Sequence, residues 1–246
     1  MSLFGPRLKQ GLKHGDVLEI GGARVVLRAN PRARRVSLRV NSASGEVIAV
    51  APSERRLPEA VDFARQRQGW IAARLKARTP GAPFAPGSTI PFRGDLVRLE
   101  PVAGASAARA LQGAAGVRIV SGGEGEAFSR RVESLLRREA ARALQGRTAV
   151  HASALGLSLP RVSVTDPKSR WGSCTPSRGT IRYSWRLIMA PPWVLDYVAA
   201  HEVAHLVHGD HSPAFWAVVK RLLGDEKAGR RWLRTHGHTL HAVGRG

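Results

Sequence analysis

The chain has 246 residues, 43% of them apolar, which is enough for one sizeable domain or two small ones with real cores. A single cysteine, Cys174, excludes an internal disulfide framework, and the lack of a recognisable leader or of a long apolar run leads us to expect a soluble cytoplasmic protein with no membrane partner. The formal charge of +21 is carried mainly by arginine and would suit nucleic acid as a partner, although arginines spread along the whole chain are explained more simply by codon composition than by one dedicated patch.

Residues 1–16 read as an N-terminal tail. An α+β region then runs from 17 to 101. Its short β-prone stretches, Val17 to Ile20, Arg24 to Leu27, Val36 to Val40 and Val47 to Val50, are broken by Gly, Asn and Pro. Leu57, Val61, Ala64, Ile71 and Leu75 recur at helical spacing, with Trp70 adjoining, and two further β runs follow around Ile90 and Leu96 to Leu99. Residues 102–125, rich in Ala and Gly, read as an exposed connection carrying one strand, Val117 to Val120. The last region, 126–246, opens with an amphipathic helix whose apolar side holds Phe128, Val132, Leu135, Leu136 and Leu144. Strands around Arg161 to Thr165 and Ile181 to Trp185 lead into a further helix, and two short helices close the chain. No internal repeat is visible.

The helix after Pro191-Pro192 carries His201-Glu202-Val203-Ala204-His205. Residues i and i+4 share a helix face, so both imidazoles can reach one ion, while Glu202 sits about 100° round from His201, beside that ion. Gly209 is placed to end the helix, and Ser212-Pro213 can cap a new one, so that a turn returns His211 toward the other two histidines. His208 lies too far along a straight helix to converge with them and reads as a solvated residue. Zn2+ on His201, His205 and His211 would keep an open position and an acidified water. Glu202 would then act as general base.

Lys168-Ser169-Arg170-Trp171-Gly172-Ser173-Cys174, Asp196-Tyr197-Val198, the His201 to Leu206 run and His211-Ser212-Pro213-Ala214-Phe215-Trp216 together resemble the YgjP-like zinc metallopeptidases, bacterial relatives of the SprT-like proteases and of the small gluzincins. The resemblance extends to the strands between Arg34 and Pro52 and to Gly69-Trp70-Ile71, and so covers most of the chain. It implies a zincin-like catalytic half with metal ligands at His201, His205 and His211 and the general base at Glu202. Asp210, where the family often has Asn, is a candidate acceptor for a ligand N–H.

Around this centre, Tyr197 is a candidate oxyanion donor or a packing residue, and Arg170 a candidate substrate clamp or a structural ion pair. Cys174 reads as a small buried hydrophobe, with a zinc-bound latent thiolate as the minor alternative. His236, His238 and His241 read as a solvated tail or a proton-donor cluster. The leading function is a zinc-dependent peptidase, with an edge strand from residues 181–185 taking up an extended substrate. The alternatives are a metal-dependent hydrolase of nucleotide phosphoanhydrides and a nucleic-acid-associated protease.

Overall fold

A computed structural model describes residues 11–40, 45–76, 83–104, 106–114, 116–167 and 170–244. Most of the N-terminal tail, and Lys168 and Ser169 of the Trp171-Gly172 motif, lie outside the described residues. The fold is α+β, as expected, with six α-helices and three small sheets among the described residues. None of those helices is long and apolar enough to cross a membrane.

Strands β1 (Val17–Ile20) and β2 (Ala23–Ala29) form a hairpin. The turn is Gly21-Gly22, with φ of 59° and 75°, the pairing of two positive φ values that a tight two-residue hairpin needs. β3 (Ser37–Val40) and β4 (Val47–Ala51) complete a four-stranded sheet in the order β1-β2-β4-β3, in which β2 and β4 run parallel. The helices α1 (Leu57–Gln66) and α2 (Gln68–Lys76) follow. Leu57, Ala60, Val61 and Ala64 of α1 bury against Val25, Leu27, Val47, Ala49 and Ala51. The continuous apolar spacing through Leu75 predicts one helix, but Arg67, at φ −103° and ψ 18°, breaks it in two.

The second unit begins with β5 (Thr89–Phe92), β6 (Asp95–Pro101), β7 (Arg109–Gly113) and β8 (Gly116–Ser121), in the order β5-β6-β8-β7. This repeats the first sheet: a hairpin, a parallel central pair and an antiparallel outer strand. The hairpin turn again has two positive φ values, 54° at Arg93 and 94° at Gly94. The repeat is one of connectivity, carried by turn geometry and alternating burial rather than by shared residues, so it leaves no trace in the sequence.

The chain divides into compact units at 1–80 and 81–246, ahead of the Ala/Gly-rich connection that composition suggested at 102–125. That stretch holds two strands, and Ala108, Ile119 and Val120 are buried. Pairing with β6 gives it order that its own composition does not predict.

Helix α3 (Gly125–Ala154) runs for 30 residues, about 45 Å at 1.5 Å per residue. Phe128, Val132, Leu135, Leu136, Ala140 and Leu144 form its buried face and join one core with Leu99, Ile119, Tyr183, Trp185 and Phe215. A three-stranded sheet follows, ordered β10 (Gly172–Thr175), β11 (Thr180–Ser184), β9 (Arg161–Thr165). β11 is therefore the central strand, paired on both sides, and cannot serve as the substrate-binding edge expected of residues 181–185; the edges are β10 and β9.

A 3-10 turn over Trp185–Met189 leads to α4 (Pro192–Ala204), then α5 (Pro213–Leu223) and α6 (Lys227–Ala242). The Arg93 N–H donates to the Ile188 carbonyl at 2.7 Å, tying the β5–β6 turn to the segment that launches α4.

Candidate metal centre and active site

Pro191 and Pro192 start α4, with Pro192 in its first turn, where the missing N–H costs nothing. The helix is apolar nearly all round: Val194, Leu195, Tyr197, Val198, Ala199, Ala200, Val203 and Ala204 are buried, as expected for a helix through the middle of a core. Within such a helix each polar side chain requires a reason.

Asp196 has an explicit one. Its carboxylate accepts from Arg147 Nε (2.6 Å) and Nη2 (3.0 Å), and His151 Nε2 lies 2.6 Å away, so two turns of α3 are tied to α4. Burial pushes the Asp196 carboxyl up, but the hydrogen bonds from His151 and Arg147 outweigh it and hold the group below its ordinary range.

His201, His205 and His211 converge. One ring nitrogen of each lies within 4.8 Å of the others, the only such group of potential metal-binding side chains among the described residues. His201 Nε2 and His211 Nε2 are 3.2 Å apart. Two nitrogens bonded at ~2.1 Å to one tetrahedral ion would be about 3.4 Å apart, so this spacing fits zinc. His205 Nδ1 lies 3.0 Å from the His208 carbonyl; donating there leaves Nε2 as the lone-pair nitrogen. Burial, then the neighbouring His205, His211 and Arg230, push His201 down to about 4, and burial also lowers His205. Both imidazoles are thus neutral near pH 7, the form that binds a metal.

Phe215, fully buried, packs beneath all three rings with centroids at 4.5 to 4.9 Å, and Trp216 flanks His201 and His211. Phe215 comes beneath the imidazoles because it stands at i+4 after His211, on the first turn of α5.

The bend between α4 and α5 differs in detail from expectation. The helix ends at Ala204 rather than at Gly209, which does not take a left-handed conformation. Capping at Ser212 is as expected: its hydroxyl accepts from Phe215 N–H, with Pro213 in the first turn. Asp210 accepts the Ser212 backbone N–H at 3.2 Å, so it shapes the turn that returns His211 rather than receiving a ligand N–H. His208 contributes its carbonyl, not its ring.

Glu202 is 6% exposed and faces β10. Burial pushes its carboxyl up to about 7, against the pull of the Arg170 guanidinium. Gly172 makes room for it: a Cβ there would come within 2.6 Å of Glu202 Cγ and Cδ. A glycine inside a strand pattern often marks close approach of this kind, so the signal was available in Trp171-Gly172-Ser173.

Arg170 is exposed and coupled electrostatically to Glu202. Tyr197 is 8% exposed, its ring 5.9 Å from that of His201, and Gly229 of α6 lies so close that a Cβ would strike the Tyr197 ring. The Cys174 thiol is pushed up to about 11 by burial and by Glu202, and it is not part of the histidine group.

His241 is not in a loose tail: it lies on α6, 7% exposed and stacked on Trp171 at 4.4 Å. His236 and His238 are exposed, with His236 stacked on Trp232. Arg186, unremarked in the sequence, fixes this helix end. Its guanidinium is buried over Trp185, pairs with Asp166, and donates to the carbonyls of Leu240 and Val243.

A comparison with curated proteins gives no match. Among solved structures, the chain is similar to the metallopeptidase zymogen abylysin of Pyrococcus abyssi, at 23% identity and a TM-score of 0.34, over 38% of this chain and 92% of that one. The YgjP-like metallopeptidase-domain model matches residues 34–236, from the segment before β3 to the middle of α6, and the chain accordingly belongs to the YgjP-like metallopeptidase family.

Proposed function

We propose that this metallopeptidase hydrolyses peptide bonds with zinc held by His201, His205 and His211 and with Glu202 as general base. The convergence of the three imidazole nitrogens beside a buried, unusually basic carboxylate carries this reading. Bound there, zinc would supply a Lewis acid for the scissile carbonyl and acidify a water. Glu202 takes the proton of the attacking water and later hands it to the leaving amine nitrogen. Its raised proton affinity suits both halves of that task, and a cation beside it would lower that affinity toward the working range.

The free edge of β10, next to Glu202 through Gly172, is where an extended substrate strand would add. Arg170, exposed at the start of that strand, would meet a substrate carboxylate. Tyr197 is assigned to packing, because its ring is enclosed between His201 and Gly229.

The test is Glu202→Gln. It should bind zinc as the parent does, by metal analysis, and lose hydrolysis of a broad fluorogenic peptide panel by roughly 10²–10⁴-fold. Undiminished turnover would sink the assignment of Glu202.

A further inference from the structure

The first unit carries a groove of about 380 Å³ that the chemistry at α4 does not use. It is lined by Arg35, Val36, Ser37 and Leu38 on one side and by Phe63, Arg67 and Trp70 on the other. Ser37 and Leu38 belong to β3, and Arg35 and Val36 are the two residues that lead into it, so this wall is the start of the strand and its approach. β3 is an edge strand: it pairs with β4 on one side, and among the described residues no strand lies on the other. Its outer backbone groups are therefore open to pairing.

The opposite wall is aromatic and cationic. Trp70 is 39% exposed, a large apolar surface left to solvent. The Arg67 guanidinium lies over the Phe63 ring at 5.6 Å and Arg74 over Trp70 at 5.7 Å. Among the described residues Arg35, Arg67 and Arg74 make no ion pair, whereas the nearby acids Glu59 and Asp62 are paired with Arg56 and Arg65. Among the described residues no acidic side chain lines the groove. Its chemistry is thus a row of backbone donors and acceptors, an apolar floor of Val36, Leu38, Phe63 and Trp70, and uncompensated positive charge at both walls.

We infer that this groove binds an extended acidic peptide segment, added as a strand to the free edge of β3 with its apolar side chains on Phe63 and Trp70 and its carboxylates on Arg35 and Arg67. Backbone pairing supplies affinity, and alternate side chains supply selection. A nucleic acid would satisfy the arginines and stack on Trp70, but it would leave the strand edge unpaired. The peptide uses every wall, and the edge decides for it. This inference stands apart from the catalytic reading, since it needs neither metal nor turnover.

The experiment is fluorescence anisotropy of the full chain with a labelled, capped octapeptide of alternating Glu and Val. Three probes run beside it: the Lys/Val counterpart, the Glu/Val peptide N-methylated at every residue, and a short oligothymidylate. The Glu/Val peptide should bind saturably. The Lys/Val and N-methylated peptides should each bind at least about tenfold more weakly. The double charge reversal Arg35→Glu/Arg67→Glu, at exposed positions, should cost about tenfold or more in Glu/Val affinity while leaving the circular dichroism unchanged. Absence of saturable Glu/Val binding would overturn the inference. So would equal binding of the N-methylated peptide, or oligothymidylate binding that depends on Arg35 and Arg67 and displaces the peptide. The comparison among probes on the parent chain decides the matter even if the double variant misfolds.

Discussion

The backbone of Gly172 lies flush against the side chain of Glu202, leaving no room for a Cβ at position 172. An edge strand thereby sets the position of the carboxylate without any hydrogen bond to it. Gly172→Ala should keep the three-histidine group and its zinc, yet displace the proton acceptor. A displacement of ~1 Å at a reacting group costs on the order of 10²-fold. Steady-state kinetics with zinc content measured in parallel should show kcat falling at unchanged metal occupancy; unchanged kcat would mean that Glu202 is positioned by something else.

Metal should also be visible as stability. If the histidine group holds zinc only in the folded chain, free zinc at ~100 times its dissociation constant adds about 2.7 kcal/mol. Thermal unfolding should shift upward on adding zinc and return on chelation. In His211→Ala the shift should require far more zinc, beyond the ~10–100-fold that loss of a supporting partner alone costs. Equal zinc response in parent and variant would place the ion elsewhere.

The link between α3 and α4 predicts acid sensitivity. The folded Asp196 carboxyl is held below its ordinary value of about 3.9, so its contribution is fully present above that pH and is lost as pH falls through the lowered folded value. Asp196→Asn should cost about 1–3 kcal/mol at pH 7 by urea unfolding. It should also remove part of the acid-limb slope below pH ~4. A variant whose acid limb overlays that of the parent would show that the depression does not matter to folding.

Arg186 should govern the end of α6. It joins Asp166 to the carbonyls of Leu240 and Val243, and the helix it holds carries His241 onto Trp171. Arg186→Met leaves Asp166 and two carbonyls without their cation, and breaking such a buried pair costs ~3–5 kcal/mol. Hydrogen exchange should quicken first over residues 236–243; protection retained there would contradict this role.

Much of the site was legible because its signals are local. The interval from His201 to His205 is one helical repeat, and Ser212-Pro213 is a cap that the structure reproduces. What escaped was settled by pairing across distance. Nothing in the sequence marks β10 rather than β11 as the edge of its sheet, because register belongs to the partners. The residues around Gly116 look like a linker until β6 and β7 flank them. Arg186 is one arginine among many until Asp166, Leu240 and Val243 gather round it.

Among the described residues the three sheets are all open, each ending in strands with one unpaired side. Such borders invite copies of the same chain to stack on one another. Here arginines stand on or beside several of them, Arg35 and Arg39 at β3 and Arg109 at β7, in a molecule whose formal charge is +21. Like charge repels like, so two identical borders push apart while a segment of opposite sign is drawn in. Arginine at such borders, whatever its codon origin, is expected to oppose the stacking of like chains.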